Sequence, residues 1–151
     1  MLFLSIWSLS NHFQTKVFPS IKSNKKIKIV SILTNKKSHN FKSKNSYTDK
    51  KKIIIKNDFN CVYISSVNSM HYNYSKFALE KNKNVFCEKP ICLRTDHLIK
   101  LKKIATKNKK FFFEVIQYIH HPLYLKLKKL IDKKIVGKIL CVKSTFKIPL
   151  K

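Results

Sequence analysis

An acid, a base and a proline close an apolar run near the middle of the chain, and side chains of these types could move protons. The stretch 84–93 reads NVFCEKPICL, so Glu88, Lys89 and Pro90 follow what the pattern predicts to be a buried strand. Partial burial disfavours the charged form of a lysine, and a lysine in that state can act as an acid or base in a reaction. The alternative is a plain turn, in which proline stops the strand and the charged side chains face water.

Apolar runs of strand length recur along the chain, and most of them are continuous rather than alternating. Such runs are typical of strands that are covered on both faces, as in a parallel sheet. The six runs are Leu2–Trp7, Ile27–Leu33, Cys61–Ser65, Asn84–Cys87, Lys110–Ile116 and Ile139–Phe146.

Amphipathic stretches between these runs predict helices over 13–21, 70–81 and 96–107. The segment 41–58 gives a weaker signal, a lysine-rich loop followed by KKIIIKND as a short helix or strand. Strands that alternate with helices predict an α/β fold with a doubly wound, Rossmann-like parallel sheet. Ligands bind such sheets at the carboxyl ends of the strands, so the residues that follow the strands are candidate site residues. They are Ser8, Thr34, Ser66, Glu88 and Gln117.

The charge balance is extreme: 33 basic and 7 acidic residues give a net charge of +26. A polyanion or an anionic membrane is the usual partner of such a chain. However, Arg94 is the only arginine, whereas nucleic-acid recognition favours the forked guanidinium. Lysine, isoleucine, asparagine and phenylalanine share AT-rich codons, which favours drift in base composition over selection for a polyanion. We therefore expect salt-sensitive, non-specific adhesion to nucleic acid, no specific nucleic-acid partner and no membrane partner.

The cysteines and the first residues of the chain indicate a cytoplasmic protein. Cys61, Cys87, Cys92 and Cys141 include no CxxC pair, so we expect reduced thiols and no metal site. The apolar start MLFLSIWSLS is short and favours a first buried strand over a signal peptide. No stretch approaches the roughly 18 apolar residues of a membrane span.

Three segments together resemble the Gfo/Idh/MocA family of NAD(P)-dependent oxidoreductases, which act mostly on sugars, sugar nucleotides and cyclitols. The segments read CVYISSVNSMH at 61–71, VFCEKPICL at 85–93 and FFFEVIQYIHHPLYLKLKKLIDKKIVGKI at 111–139. The resemblance covers about residues 25 to 148 and rests on the spacing from the histidine turn to Glu-Lys-Pro and on the Ile-Val-Gly-Lys-Ile ending. It implies an NAD or NADP cofactor and a small sugar-type substrate.

The resemblance also implies roles for individual residues. Lys89 would be the catalytic residue, close to the nicotinamide and the substrate hydroxyl, and Glu88 would hold Lys89 or contact the nicotinamide ribose. His71 matches the family's histidine after the strand, Asn68 would lie beside the same ribose, and Val67 stands where the family usually has proline.

The remaining implied contacts lie at other strand ends. Asn35 follows the second strand, where the family grips the adenosine ribose, and Lys36 or Lys37 could favour NADP. Gln117 and the pair His120–His121 follow the last strand of the dinucleotide fold, where substrate contacts often begin. Metal binding by both adjacent histidines is disfavoured because their side chains point in different directions.

Two features depart from the family pattern. A dinucleotide fold expects G-x-G-x-x-G after its first strand, and this chain has SLSNHF, with Ser8, Ser10 and Phe13 at the glycine positions. The serine Cβ atoms would push a cofactor outward and Phe13 would wedge the helix from the strand, so we expect weak NAD(P) binding.

The second departure is length. Residues 1–118 correspond to the dinucleotide-binding domain, and 119–151 to the truncated start of the family's substrate domain, with a strand at 139–148 that would expose its edge. Three expectations follow: a weakly active or inactive oxidoreductase, one half of an enzyme completed by another copy or a complementary chain through that strand, or a basic, non-catalytic interaction module.

Overall fold

The computed structural model of the chain describes residues 1–35, 46–56, 58–145 and 147. The chain divides into two compact units, Met1–Val115 and Ile116–Lys151. The sequence-predicted candidate residues lie in the first unit, apart from Gln117, His120 and His121 of the second.

Within the described residues, the first unit has six parallel strands, and five of them follow the continuous apolar runs. Their order across the sheet is β3-β2-β1-β4-β5-β6, and each neighbouring pair is parallel. The strands are β1 (Leu2–Trp7), β2 (Ile27–Leu33), β3 (Ser46–Tyr47), β4 (Cys61–Ile64), β5 (Asn84–Glu88) and β6 (Phe112–Val115). This is the order of a doubly wound dinucleotide fold, and it confirms the predicted α/β class.

Helices connect the strands, as the amphipathic stretches predict. A π-helical turn (Phe13–Val17) leads into α1 (Phe18–Ser23), and α2 (Lys50–Lys56), α3 (Asn68–Glu80) and α4 (Thr95–Lys107) follow. The second unit holds a 3₁₀ turn (Gln117–His120) and α5 (Pro122–Asp132). Within the described residues, no helix has the length and apolar character that crossing a membrane requires.

The core of the first unit lies on both faces of the sheet because successive strand residues point to opposite sides. Trp7, Val62 and Val85 belong to one buried cluster, which includes residues of α2, α3 and α4. Leu4 and Ile6 belong to the other, against the helix that contains Phe13. Continuous apolar runs are therefore required, since both sides of β1 and β4 are buried.

Two sequence predictions fail in the fold. The run Ile139–Phe146 is not a strand over 139–145. A strand requires a neighbour that pairs with its backbone, and the described part of the chain offers this run none. The pairing of 139–148 with another copy or a complementary chain stays a prediction. The second failure is β3: Ser46–Tyr47 pairs with Ile32 and Leu33, although its two residues form no apolar run.

The four thiols differ in burial, and we expect this difference to appear in their reactivity. All four are free, with Cys61 and Cys87 buried, Cys92 half-buried and Cys141 exposed. Burial raises the pKa of Cys61 and of Cys87 to about 12, from an ordinary value of 9.0. At pH 8 a disulfide reagent should therefore label Cys141 first and Cys92 more slowly, and should label the other two only after unfolding. Fast labelling of four thiols in the native protein, counted by absorbance, would contradict the buried positions of Cys61 and Cys87.

Candidate functional site

The order of the strands reverses between β1 and β4, so the connections from these two strands leave in opposite directions. A sheet wound in this way leaves a crevice at the carboxyl ends of the two strands. The loop after β1, the loop after β4 and the end of β5 meet there and form a cavity of about 400 Å³. Its lining residues are Ser10, His12, Ser65, Ser66, Asn68, His71, Glu88 and Lys89.

The loop after β1 has the backbone shape of a glycine loop without its glycines. Ser8 has a φ of 73°, a left-handed conformation that favours glycine. Its amide donates to the carbonyl of Leu33 at 2.7 Å, and its carbonyl accepts a hydrogen bond from the Ser65 hydroxyl at 2.8 Å. These two contacts hold the strained residue in place and tie the loop to both neighbouring strands.

Ser10, which the sequence comparison with a dinucleotide fold predicts at the second glycine position, caps the following helix. Its hydroxyl accepts a hydrogen bond from the amide of Phe13 at 3.0 Å, and its carbonyl accepts from the amide of Gln14 at 3.1 Å. A capping serine satisfies one of the amide groups that begin a helix without an intrahelical partner. The same hydroxyl lines the cavity, so this helix begins at the edge of the candidate site.

Phe13 is predicted from the sequence to stand at the third glycine position and to wedge the helix from the strand. The side chain is fully buried, with its ring centroid 5.4 Å from that of Tyr63. The helix has π geometry over Phe13–Val17, at the turn that holds this ring. A π turn is wider than an α turn, so the local helix geometry differs where the large side chain replaces glycine.

The carboxylate of Glu88 lies between two side chains from different elements. The Tyr63 hydroxyl donates to Oε1 of Glu88, and Nε2 of His12 lies 3.6 Å from the same oxygen. Burial, with the hydrogen bond and the charge of Glu88, raises the pKa of Tyr63 well above its ordinary value. Tyr63 therefore keeps its proton at neutral pH and orients the carboxylate.

Tyr63→Phe removes that hydroxyl while keeping the buried ring. We expect the free energy of unfolding to fall by about 1.5–3 kcal/mol, since a hydrogen bond to a charged group is lost. Urea denaturation followed by circular dichroism measures the change. A fall of less than about 0.5 kcal/mol would show that water replaces the hydroxyl on Glu88.

The turn after β5 is held by side chains from two other elements. The Lys89–Pro90 peptide bond is cis. The amide of Ile91 donates to Oε1 of Glu114 on β6 at 2.9 Å. His71 on α3 is 1% exposed, and its Nδ1 lies 2.7 Å from the carbonyl oxygen of Pro90.

The second ring nitrogen of His71 is also in contact with the backbone. Its Nε2 lies 3.0 Å from the carbonyl oxygen of Ser66. The imidazole therefore bridges the loop after β4 and the turn after β5. His71, which the resemblance implies as a cofactor contact, therefore positions two of the three segments that form the cavity.

Lys89 lines the cavity, but its side chain is exposed, whereas the sequence predicts partial shielding. The difference arises because β5 ends at Glu88, the residue before Lys89, so Lys89 lies in the turn beyond the sheet. Its ammonium group forms no hydrogen bond or ion pair with any residue that the structure describes. This amine therefore remains available to a ligand in the cavity.

Six of the sequence-predicted site residues line the cavity: Ser10, Ser66, Asn68, His71, Glu88 and Lys89. Ser8 supports its wall through Ser65. Asn35 is exposed beyond the end of β2 and does not line the cavity, and Gln117 belongs to the second unit. Lys36 and Lys37, predicted to affect the choice of NADP, lie outside the described residues.

Sequence reasoning missed four contributors: His12, Tyr63, Ser65 and Glu114. Ser65 follows a predicted strand immediately, so the rule that identified Ser66 could have identified it as well. The other three act through contacts between elements far apart in the chain, for which the sequence gives no signal. Among the described residues, no cluster of three or more histidine, cysteine or acidic side chains could hold a metal ion.

The sequence profile of the Gfo/Idh/MocA proteins, described as an oxidoreductase family with an NAD-binding Rossmann fold, matches residues 19–116. The chain belongs to this oxidoreductase family. The matched region contains β2, β4, β5 and β6, and it includes the Glu88–Pro90 signature and the histidine turn.

Individual members of the Gfo/Idh/MocA family resemble the chain over part of their length. An oxidoreductase of Formosa agariphila is 32% identical over 104 residues, which are 68% of this chain and 32% of that protein. The myo-inositol 2-dehydrogenase of Lactobacillus plantarum superimposes with a TM-score of 0.81 at 20% identity, over 91% of this chain and 43% of the other. A 3-ketoreductase mutant from Actinomadura kijaniata, in complex with TDP-benzene and NADP, gives 0.80 at 15% identity, over 91% and 45%. The matched region is thus about a third of the curated relative's length.

Proposed function

We propose that this chain provides the NAD(P)-binding part of an oxidoreductase that acts on a hydroxyl group of a sugar, sugar nucleotide or cyclitol. The observation that supports it most is the position of Lys89. Its amine, which has no partner among the described residues, lines a cavity at the switch point of a parallel sheet, in a chain of the Gfo/Idh/MocA family. The proposed substrate class is the one that the family resemblance implies.

The residues present fit the nicotinamide half of the cofactor. The cavity offers an amide from Asn68, a carboxylate from Glu88 and an amine from Lys89, within a volume of about 400 Å³. Asn68 and Glu88 would hold the nicotinamide ribose, as the family resemblance implies, and the bound cofactor would supply the hydride acceptor for the alcohol carbon.

Lys89 transfers the proton in the same reaction. Oxidation of a secondary alcohol to a ketone releases one hydride from carbon and one proton from the hydroxyl group. In this proposal the Lys89 amine takes up that proton, and in the direction of reduction it returns the proton to the forming alkoxide. Tyr63 and His12 hold Glu88 beside it, and His71 and Glu114 hold the turn that carries it.

Binding of NADH to the purified chain tests this proposal, and Ser8→Gly makes the test specific to the loop. We expect weak binding by the wild-type chain, because the Ser8 Cβ lies where the fold brings a pyrophosphate against the backbone. Glycine at this position should tighten NADH binding roughly tenfold and raise the free energy of unfolding by about 1 kcal/mol, since a left-handed φ strains serine.

Isothermal titration calorimetry with NADH and NADPH measures the affinity, and Ser20→Gly, at an exposed position of α1, serves as the control. Wild-type and Ser8→Gly proteins that both fail to bind either cofactor would contradict the proposal. Retention on a polyanion column at high salt would then favour the basic, non-catalytic module, which the charge of +26 makes the second candidate.

We also propose that residues from about 119 onward begin the substrate domain of the family. The second unit begins at Ile116, and its helix α5 starts at Pro122 after a histidine cap, as in the His-Pro helix of the resemblance. The exposed apolar residues of α5, among them Leu123, Leu125 and Leu127, suit a segment that packs within a larger domain. The free thiols suit the reducing cytoplasm, where we place the protein.

A further inference from the structure

A second cavity, of about 340 Å³, adjoins the proposed cofactor site and has a different character. Asn68 lines both cavities, so the two are neighbours at the start of α3. The residues that line the second cavity are Asn68, Ser69, Tyr72, Asn73, Leu93, Arg94 and His97. None of these is acidic, and two carry basic groups.

The side chain of Arg94, the single arginine of the sequence, is 69% exposed at this cavity and contacts the neighbouring Asp96. Its Nε donates to Oδ1 of Asp96 at 2.8 Å, and Lys100 holds the other carboxylate oxygen at 3.4 Å. The interaction with Arg94 lowers the pKa of Asp96 to about 2. The aspartate is therefore charged at neutral pH and forms an ion pair with the guanidinium. A guanidinium has five N–H groups, and this contact uses one. Within the described part of the chain, the other four have no hydrogen-bond partner.

The surroundings of Arg94 also favour a negatively charged ligand. Helices α3 and α4 begin at Asn68 and Thr95, on either side of the cavity, and the first amides of a helix lack intrahelical partners. The rings of Tyr72 and His97 stack at 3.7 Å with an angle of 13° between their planes. This stacked pair gives the cavity an ordered, flat wall beside the guanidinium.

We propose that this second cavity binds the oxyanion group, phosphate or carboxylate, of an acidic sugar substrate, and that Arg94 is the residue that recognises it. The inference rests on the proposed function, because the cavity adjoins the site where Lys89 would meet the substrate hydroxyl. An arginine fork fits the paired oxygens of phosphate and carboxylate, whereas a lysine acts as a point charge. This inference restricts the proposed sugar-type substrates to those that carry a phosphate or a carboxylate group.

Titration with three sugars tests the proposal in the purified chain. Glucose 6-phosphate, glucuronate and glucose share a ring and differ in their charge, and ¹⁵N NMR reports both affinity and location. We expect shifts in the amides of Asn68, Ser69 and Asn73 with at least one of the two anions, at an affinity about tenfold or more above that for glucose. The two anions distinguish a phosphate site from a carboxylate site.

A matched pair of variants distinguishes recognition of the anion by Arg94 from attraction by the overall positive charge of the chain. Arg94→Gln and Lys103→Gln each remove one positive charge, but Lys103 lies on α4 outside both cavities. We expect Arg94→Gln to weaken anion binding about tenfold and Lys103→Gln to change it less than twofold. Arg94→Lys keeps the charge and loses the fork, and should weaken binding severalfold.

Two results would overturn the inference: equal weakening by Arg94→Gln and Lys103→Gln, or equal affinity for glucose and both anions. An NADH titration of the wild-type chain reports on the proposed function separately. NADH binding without an anion site that depends on Arg94 rejects this inference alone. Anion binding that depends on Arg94, with no binding of NADH or NADPH by either the wild-type or the Ser8→Gly protein, rejects the proposed cofactor function alone.

Discussion

Replacing Lys89 with alanine is expected to lower the turnover of a sugar-type alcohol with NAD(P)⁺ by about 10²- to 10⁴-fold, the usual contribution of a positioned acid or base. The expectation rests on the proposed function. Lys89 lines the cavity with its amine unpaired among the described residues, so its loss removes the proton acceptor and little else. The affinity for NADH should change less than threefold, because Asn68 and Glu88 remain.

The kinetics of NADH formation, measured at 340 nm with a panel of sugars and cyclitols, give the turnover numbers. Lys103→Ala is the matched control, since it removes an exposed lysine that lines neither cavity. A Lys89→Ala protein that turns over within threefold of the wild type would assign the proton transfer to another group. A tenfold loss of NADH affinity would instead indicate a cofactor-binding role for the lysine.

Trp7→Ala is expected to have the largest effect on stability, a loss of about 3–5 kcal/mol in the free energy of unfolding. Trp7 is fully buried at the end of β1, with its ring centroid 5.5 Å from that of Tyr74 and 6.1 Å from that of Phe77. Its indole N–H donates to the hydroxyl of Ser5 at 3.0 Å. Alanine leaves a large cavity between the sheet and α3 and removes one hydrogen bond to the buried Ser5 hydroxyl, which still accepts from the Ser31 hydroxyl at 2.9 Å.

Far-UV circular dichroism in urea measures this loss, since Trp7 is the only tryptophan and its fluorescence disappears with the substitution. Trp7→Phe keeps an aromatic ring and should cost roughly half as much or less. Equal stability of Trp7→Ala and the wild type would show that the contacts between β1 and α3 contribute little to folding.

Much of the first unit could be predicted from the sequence because burial on both faces leaves a strong pattern. Continuous apolar residues in β1 and in β4 indicate strands covered by helices, and the alternation with amphipathic stretches gives the fold class. The strand β3 could not be predicted in the same way, because Ser46–Tyr47 is short and depends on the neighbouring β2 for its pairing. The run 139–145 shows the converse, since apolar composition without a pairing partner does not make a strand.

The candidate site was predictable as far as strand ends determine it. Ser66, Asn68 and Glu88 follow or end strands, and the parallel order of those strands brings them together. The interactions that orient Glu88 were not predictable from the sequence. Tyr63 contacts it from the neighbouring strand β4, and His12 contacts it from the segment after β1. The left-handed backbone at Ser8 is a further case, since serine itself gives no signal for a positive φ.

The bridge that His71 makes between Ser66 and Pro90 has a consequence for thermal motion. Because the loop after β4 and the turn after β5 contact the same buried ring, we expect these two segments to move together rather than independently. The amides of both loops would then exchange their hydrogens for deuterium at a common rate, one that reflects a shared opening event.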